Sequence, residues 1–305
     1  MDALTSAPGA ACEKLDLTRV RARLSGCASL PSLRTINAAL RDLLDADQRY
    51  NWQIAEIIRR DPSLTARLLV LVNSVHYGTA KPARNIDEVV FYLGVRLIRQ
   101  LVVVTQIIED LRKLAEGHRF PWREFWRHCI ATALVTREIT NVGHSQDDEI
   151  GYIGGLIHDV GKIVMATAFP DQFDQIYRRR GEEGGDLLRL EREVLGVDHA
   201  ELGAMYLRKQ GLGDTFIEIV QFHHAPQLAS RQARVTAAVH VADLLVRHHK
   251  IGDSGNHAEV PLDSWLESPA WKILTAEQND AERDFLRASL NQGLERIPAI
   301  VDSLV

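Results

Sequence analysis

The sequence predicts an all-α protein, a helical bundle of two packed halves, and three observations carry that expectation. Apolar residues recur at helical spacing along most of the chain, as in Ile36, Leu40, Leu43 and Leu44. Helix starts are marked by cap-and-proline pairs at Asp61-Pro62 and Ser268-Pro269, and by Asp198 with Glu201 three residues on. No segment sustains the alternation of a half-buried strand.

The 305 residues suffice for one large or two modest domains. With 46% hydrophobic and 25% charged residues the balance is that of a globular protein, which excludes disorder of the whole chain. A net charge of -5 and a pI near 6.2 argue against a general nucleic-acid binder. The basic runs Arg178-Arg179-Arg180 and Arg247-His248-His249-Lys250 have no interleaved aromatics to stack bases, so no nucleic-acid partner is expected. Cys12, Cys27 and Cys129 lack CxxC spacing, which fits a reducing cytoplasmic location. No apolar run approaches the ~18 residues of a membrane span. The N-terminus has no signal-peptide pattern, so no membrane partner is expected.

Residues 1–23 read as an N-terminal extension, frayed at its start and amphipathic from Leu15 to Leu24. After the break at Leu30-Pro31, helices are expected over Thr35 to Leu44, over Trp52 to Ile58, and from Asp61-Pro62 to Asn73-Ser74. Asn73-Ser74 and Trp52 could line a binding surface, but a helix end for the first and a packed indole for the second are the preferred readings. Further helices start near Ile86-Asp87 and run from Arg96 through Ile108, the latter apolar on more than one face. The charged stretch Leu111 to His118 marks the boundary between the halves, placed at 24–117 and 118–245.

Pro121 opens the next helix, and His128, three residues after Phe125, points to its interior side. Beyond the polar break Gly143 to Asp148, a helix from Asp148 or Glu149 is expected to carry Gly154 through Lys162, with His158 and Asp159 adjacent. Tyr177 to Gly185 reads as a surface turn, and Leu187 to Leu195 as a helix stopped by Gly196. His199 falls in the first turn of the helix capped by Asp198, and His223-His224 follow the helix Phe216 to Phe222. Val235 to Leu245 holds His240 and Asp243 on one face. Residues 246–305 form a C-terminal helical extension with turns between Arg247 and Ser264 and a last helix from Ala276 to Leu290.

An adjacent imidazole and carboxylate suit a divalent ion. Taken singly, His128 is as readily a core histidine, His199 a solvated first-turn residue, and His223-His224 a helix end favoured by the dipole. Asp243 on an apolar face is harder to dismiss, because a buried carboxylate needs a partner. Together, His128, His158, Asp159, His199, His223, His224 and Asp243 form a candidate ligand set for one or two ions, with Fe, Mn, Mg, Zn and Ni not distinguished. Lys162 could supply a cation for a phosphate.

The order H…HD…H…HH…D resembles the HD superfamily of metal-dependent phosphohydrolases, which implies His128, His158, Asp159 and Asp243 as its defining ligands. His199, His223 and His224 look like those added in the HD-GYP branch, but Ala225-Pro226-Gln227 follows and no Gly-Tyr-Pro. Leu30-Pro31-Ser32-Leu33, Ile57 to Thr65, Leu71 to Ser74, Val89 to Leu101, Gly154 to Lys162, Asp198 to Gly203 and His223 to Pro226 together resemble the HDOD family, over roughly Leu24 to Leu245. That resemblance implies a regulatory relative of the hydrolases, found in bacterial signalling and often with an incomplete ligand set; this chain keeps the whole set. The preferred expectation is a signalling module that binds a protein partner or a small nucleotide, with metal as a structural element. The alternative is a metal-dependent phosphohydrolase in which Asp159 and Lys162 take part in catalysis. Leu97 to Ile108 and the C-terminal helix could each bury a partner helix, which leaves a homo-oligomer open.

Overall fold

A computed structural model describes residues 15–26, 51–59, 65, 68–69, 83–91, 98, 120–142, 148–183 and 186–304. Among them every regular element is helical, in agreement with the expected class. The helices are α1 (Leu17–Gly26), α2 (Asn51–Arg59), α3 (Trp122–Val142), α4 (Asp148–Ile157), α5 (Val160–Ala168), α6 (Pro170–Glu183), α7 (Leu187–Val194), α8 (His199–Lys209), α9 (Asp214–Phe222), α10 (Ala233–His248), α11 (Pro269–Leu274) and α12 (Asp280–Leu304). Residues 86–91 are also helical. The expected helix start at Asp61-Pro62, the helices over Thr35 to Leu44 and Arg96 to Ile108, Asn73-Ser74, the Trp52 side chain and the boundary near Gly117 lie outside what is described. No helix of the described residues is long and apolar enough to cross a membrane.

The bundle is organised around α3. From His128 to Thr136 every residue except Ile130 is buried, so this helix is covered nearly all round. Helices α4, α10 and α12 pack on it. Glycine costs about 1 kcal/mol in a helix interior relative to alanine. Gly155 offsets that by letting α4 lie directly on α3, since a Cβ there would stand 2.7 Å from Ala133 Cα. The tightest approach joins α5 to α8, where a Cβ on Gly161 would stand 1.8 Å from the His199 carbonyl oxygen. Asp198 caps α8 through a full capping box with Glu201, and Ser268 caps α11 by accepting from Trp271 N.

Three local expectations are corrected. The His158-Asp159 pair is not carried within a helix: α4 ends at Ile157, the pair forms a turn, and Asp159 occupies the N-cap position of α5. Most of Tyr177 to Gly185 is not a surface turn, because α6 continues to Glu183. Its apolar side is held by Phe173 and Ile176, with Tyr177 stacked on Phe173 at 4.1 Å between ring centres, while an Arg179–Glu183 pair sits one turn apart on the outer face. The last helix runs to Leu304 and not to Leu290. It starts late because Asn279 and Glu282 form a reciprocal cap, and it runs on because Leu294, Ile297 and Val301 continue the buried stripe of Leu286 and Leu290.

Two alanine substitutions separate close approach from propensity. Gly161→Ala should destabilise by more than about 3 kcal/mol, since the clash is with fixed backbone and exceeds ordinary overpacking. Gly181→Ala, on the exposed side of α6 with nothing within 4 Å of the added carbon, should stabilise by roughly 0.5–1 kcal/mol. Urea unfolding midpoints measure both.

Candidate metal centre

The structure brings all seven candidate ligands together at the junction of α3, the α4–α5 turn, α8, the end of α9 and α10. They form two sets that share one carboxylate. Around Asp159 Oδ2 stand His158 Nε2 at 3.3 Å and His128 Nε2 at 3.8 Å. His128 Nε2 is also 3.1 Å from Asp243 Oδ1 and 3.4 Å from His158 Nε2. Around Asp159 Oδ1 stand His199 Nε2 at 3.0 Å and His223 Nε2 at 3.7 Å, with His224 Nε2 2.9 Å from His199 Nε2. His224 is half-buried and the other six are buried.

Local structure explains how these side chains are aimed. His158 and His223 each follow a helix, where the last carbonyls have no helical partner. Each uses that vacancy: His158 Nδ1 lies 2.7 Å from Gly155 O, and His223 Nδ1 lies 2.7 Å from Val220 O. Such a bond assigns the proton to Nδ1 and leaves the Nε2 lone pair for the cluster. His199, the first residue of α8, is placed by the Asp198 cap, and its Nδ1 lies 2.7 Å from Glu191 Oε2. Glu191 Oε2 also accepts from His199 N at 2.9 Å. His240 is not among the converging donors; its Nδ1 donates to the His223 carbonyl at 2.7 Å and steadies that turn.

Glu191 was not singled out in the sequence. Its signal there is a carboxylate in the apolar stripe Leu187, Leu190, Glu191, Val194, a position that asks for a buried partner. Lys162 is 2% exposed, and its Nζ stands 2.5 Å from Asp159 Oδ2. The ammonium that could have faced a phosphate thus has a partner within the cluster.

Charge follows from this arrangement. Burial opposes ionisation of Asp159, yet the His158 ring, the Lys162 ammonium and His199 hold its carboxyl well below the usual range. Burial likewise opposes the charge on Asp243, but the His128 hydrogen bond and Arg247 keep it ionised. Burial pushes His128, His223 and His224 down toward the neutral ring that a ligand requires. For His199 burial acts in the same direction but is outweighed by Glu191 and Asp159, which lift it to about 9.

The residues fit a divalent ion. Donors held about 2.0–2.2 Å from one ion stand roughly 3.0–3.5 Å apart at octahedral or tetrahedral angles, and both sets already approach that spacing. Two buried atoms in the middle, Asp159 Oδ1 and His223 Nε2, make no hydrogen bond. An unpaired polar atom in a packed interior is costly, and a cation would satisfy both.

Three arginines of the basic runs are used within the fold. Arg179 pairs with Glu183 and Glu193, and Arg180 donates to Gly255 O. Arg247 donates to Ala258 O.

The HDOD domain family model matches residues 30–226. The chain belongs to the HDOD family. An HDOD domain protein of Geobacter sulfurreducens is 25% identical, with a TM-score of 0.74 over 95% of this chain and 98% of its own. A Shewanella amazonensis SB2B protein provisionally named a phosphohydrolase is 21% identical, with a TM-score of 0.67 over 94% and 98% of the two chains. That likeness shows a shared fold. A Treponema pallidum (strain Nichols) protein is 25% identical over 198 residues, 64% of this chain but 37% of its own length. The HDOD match ends before Asp243, so α10 completes the site from beyond the matched span.

Replacing Glu191 with Ala should free the His199 ring while leaving every direct donor in place. Divalent-ion affinity should fall about 10–100-fold, read by competition with a chromogenic chelator, and Glu191→Gln should fall less because it still offers an oxygen.

Proposed function

We propose that this HDOD protein is a bacterial signal-transduction module whose helical core is closed by divalent metal and which acts through a protein partner or a small nucleotide-sized ligand. The sharing of Asp159 between two donor sets carries the metal part of the reading, and the HDOD match together with Ala225-Pro226-Gln227 in place of Gly-Tyr-Pro carries the signalling part. Imidazole nitrogens predominate among the candidate donors, which favours Fe, Ni or Zn over Mg and Mn, ions better suited by oxygen. The Lys162–Asp159 pair supports a structural over a catalytic use: the cation neutralises the shared carboxylate and is not left free for a substrate.

A second reading, metal-dependent phosphohydrolysis, is favoured by one observation. The two donor sets meet at one carboxylate, so two ions held by them would stand close together, as in two-metal hydrolytic sites. Bound divalent metal supplies an activated water and polarises a phosphoryl oxygen; Asp159 would orient the reacting centre and Lys162 would hold Asp159.

Tag-free protein should carry one or two divalent ions per chain by elemental analysis, and His158→Ala or Asp159→Ala should lower that content. Stripping the metal should cost about 2.7 kcal/mol when the free ion stands at a hundredfold excess over its Kd, read as a lower Tm. Metal-loaded protein should turn over neither phosphomonoesters, phosphodiesters nor cyclic dinucleotides. Turnover that disappears in His158→Ala would replace the signalling reading with the hydrolase.

A further inference from the structure

The two donor sets that share Asp159 are not equivalent. In one, Asp159 Oδ1 faces His199, His223 and His224. Two atoms of that set, Asp159 Oδ1 and His223 Nε2, are buried and bond to nothing. The far nitrogens of the rings are already engaged. Glu191 Oε2 holds His199 Nδ1 and the Val220 carbonyl holds His223 Nδ1, so Nε2 is what each ring has left to offer. Glu191, buried behind His199, adds a second negative charge on this side. His224 is half-buried, which gives the set one edge that an ion can reach from solvent.

The other set, Asp159 Oδ2 with His128, His158 and Asp243, is satisfied from within the chain. Lys162 Nζ donates to Oδ2 at 2.5 Å. His128 Nε2 lies 3.1 Å from Asp243 Oδ1, and Arg247 Nη1 lies 3.7 Å from Asp243 Oδ2. Each carboxylate of this set thus has a cation beside it. None of its facing atoms is buried without a hydrogen-bond partner, and His128, His158, Asp159, Lys162 and Asp243 are all buried.

Protons on the imidazoles leave as an ion binds at either set, so they do not separate the two. The ammonium does, because Lys162 is tethered to α5 one turn from Asp159 and cannot leave the chain. An ion drawn to Oδ2 meets a positive charge already bonded there. To bind, it must drive that charge off, and a buried ammonium parted from its carboxylate is costly. We propose that Lys162 is a built-in occupant of the second set: the chain takes its first divalent ion through Asp159 Oδ1, His199, His223 and His224, and admits another at His128, His158 and Asp243 only when Lys162 withdraws from Oδ2. This inverts the order that the HD pattern implies, in which His128, His158, Asp159 and Asp243 are the defining ligands. The inference rests on the preceding reading in taking the cluster to hold metal, and it sharpens that reading. The one-ion form is the structural site, and a paired centre of the hydrolytic kind is held off by one lysine.

Titration of the full chain with Zn²⁺ against a chromogenic chelator, with ions counted by native mass spectrometry, tests the order. The wild-type chain should bind one ion tightly and a second at least about tenfold more weakly, the least that one charge-assisted hydrogen bond is worth. Lys162→Met, similar in length but uncharged, should tighten the second step about 10–100-fold on the same grounds and move the first step less. His224→Ala should remove the tight step, whereas His128→Asn should remove only the weak one, and this pair decides the order even where Lys162→Met does not fold. Two steps of equal affinity, a second step unmoved in Lys162→Met, or a tight step that is lost in His128→Asn or survives in His224→Ala would overturn the proposal and leave the metal centre standing. A wild-type chain that binds no ion sinks both.

Discussion

A carboxylate buried to 1% exposure, as Asp159 is, loses most of its hydration and must be repaid by fixed partners. Asp159 gathers groups about both oxygens: Lys162 donates to Oδ2 with His158 beside it, while His199 and His223 stand near Oδ1 without closing a hydrogen bond there. Those partners come from the turn itself, from α5, from the start of α8 and from the end of α9. The positions of these elements therefore cannot be varied independently. Gly161 is part of the same constraint, because the short α5–α8 distance is what lets His199 reach a residue at the start of α5.

The site is made largely from helix ends. A helix terminus leaves backbone groups without partners, and this chain places imidazoles where they satisfy them. His158 and His223 use Nδ1 to close the carbonyl three residues back, and in doing so present Nε2 inward. His199 enters the core because a capping box fixes the first turn of α8. Orientation that another protein would build from separate supporting side chains is here part of ordinary helix termination. Glu191 is the exception, a supporting carboxylate brought in from α7.

The segment after α10 gives the HDOD scaffold something the family match does not contain. Its turns use positive φ at Lys250, Gly252 and Gly255, which bends the chain back over α3 at the level of His128. The segment is held there through its backbone carbonyls, with Arg180, Arg247 and His248 bonding to Gly255, Ala258 and Val260.

Local sequence determined the helical class, the caps at Asp198 and Ser268 and which seven histidines and aspartates to look for at one place, because each depends on periodicity, on short-range hydrogen bonding or on a pairing of chemically distinctive residues. The same local logic misplaced features that depend on distant contacts. The charged run after Tyr177 reads as a turn, yet packing of Phe173 and Ile176 keeps it helical to Glu183. The last helix extends to Leu304 because α3 offers a surface for Leu294, Ile297 and Val301. Asp159 reads as a helical residue, but its place at the N-cap is decided by the break between α4 and α5. Only the tertiary structure could show that one carboxylate is shared by two sets of histidines, that Lys162 is tied to it, and that Glu191 stands behind His199. Each is a meeting of side chains from separate helices, settled by interhelical packing, which spacing along the chain does not encode.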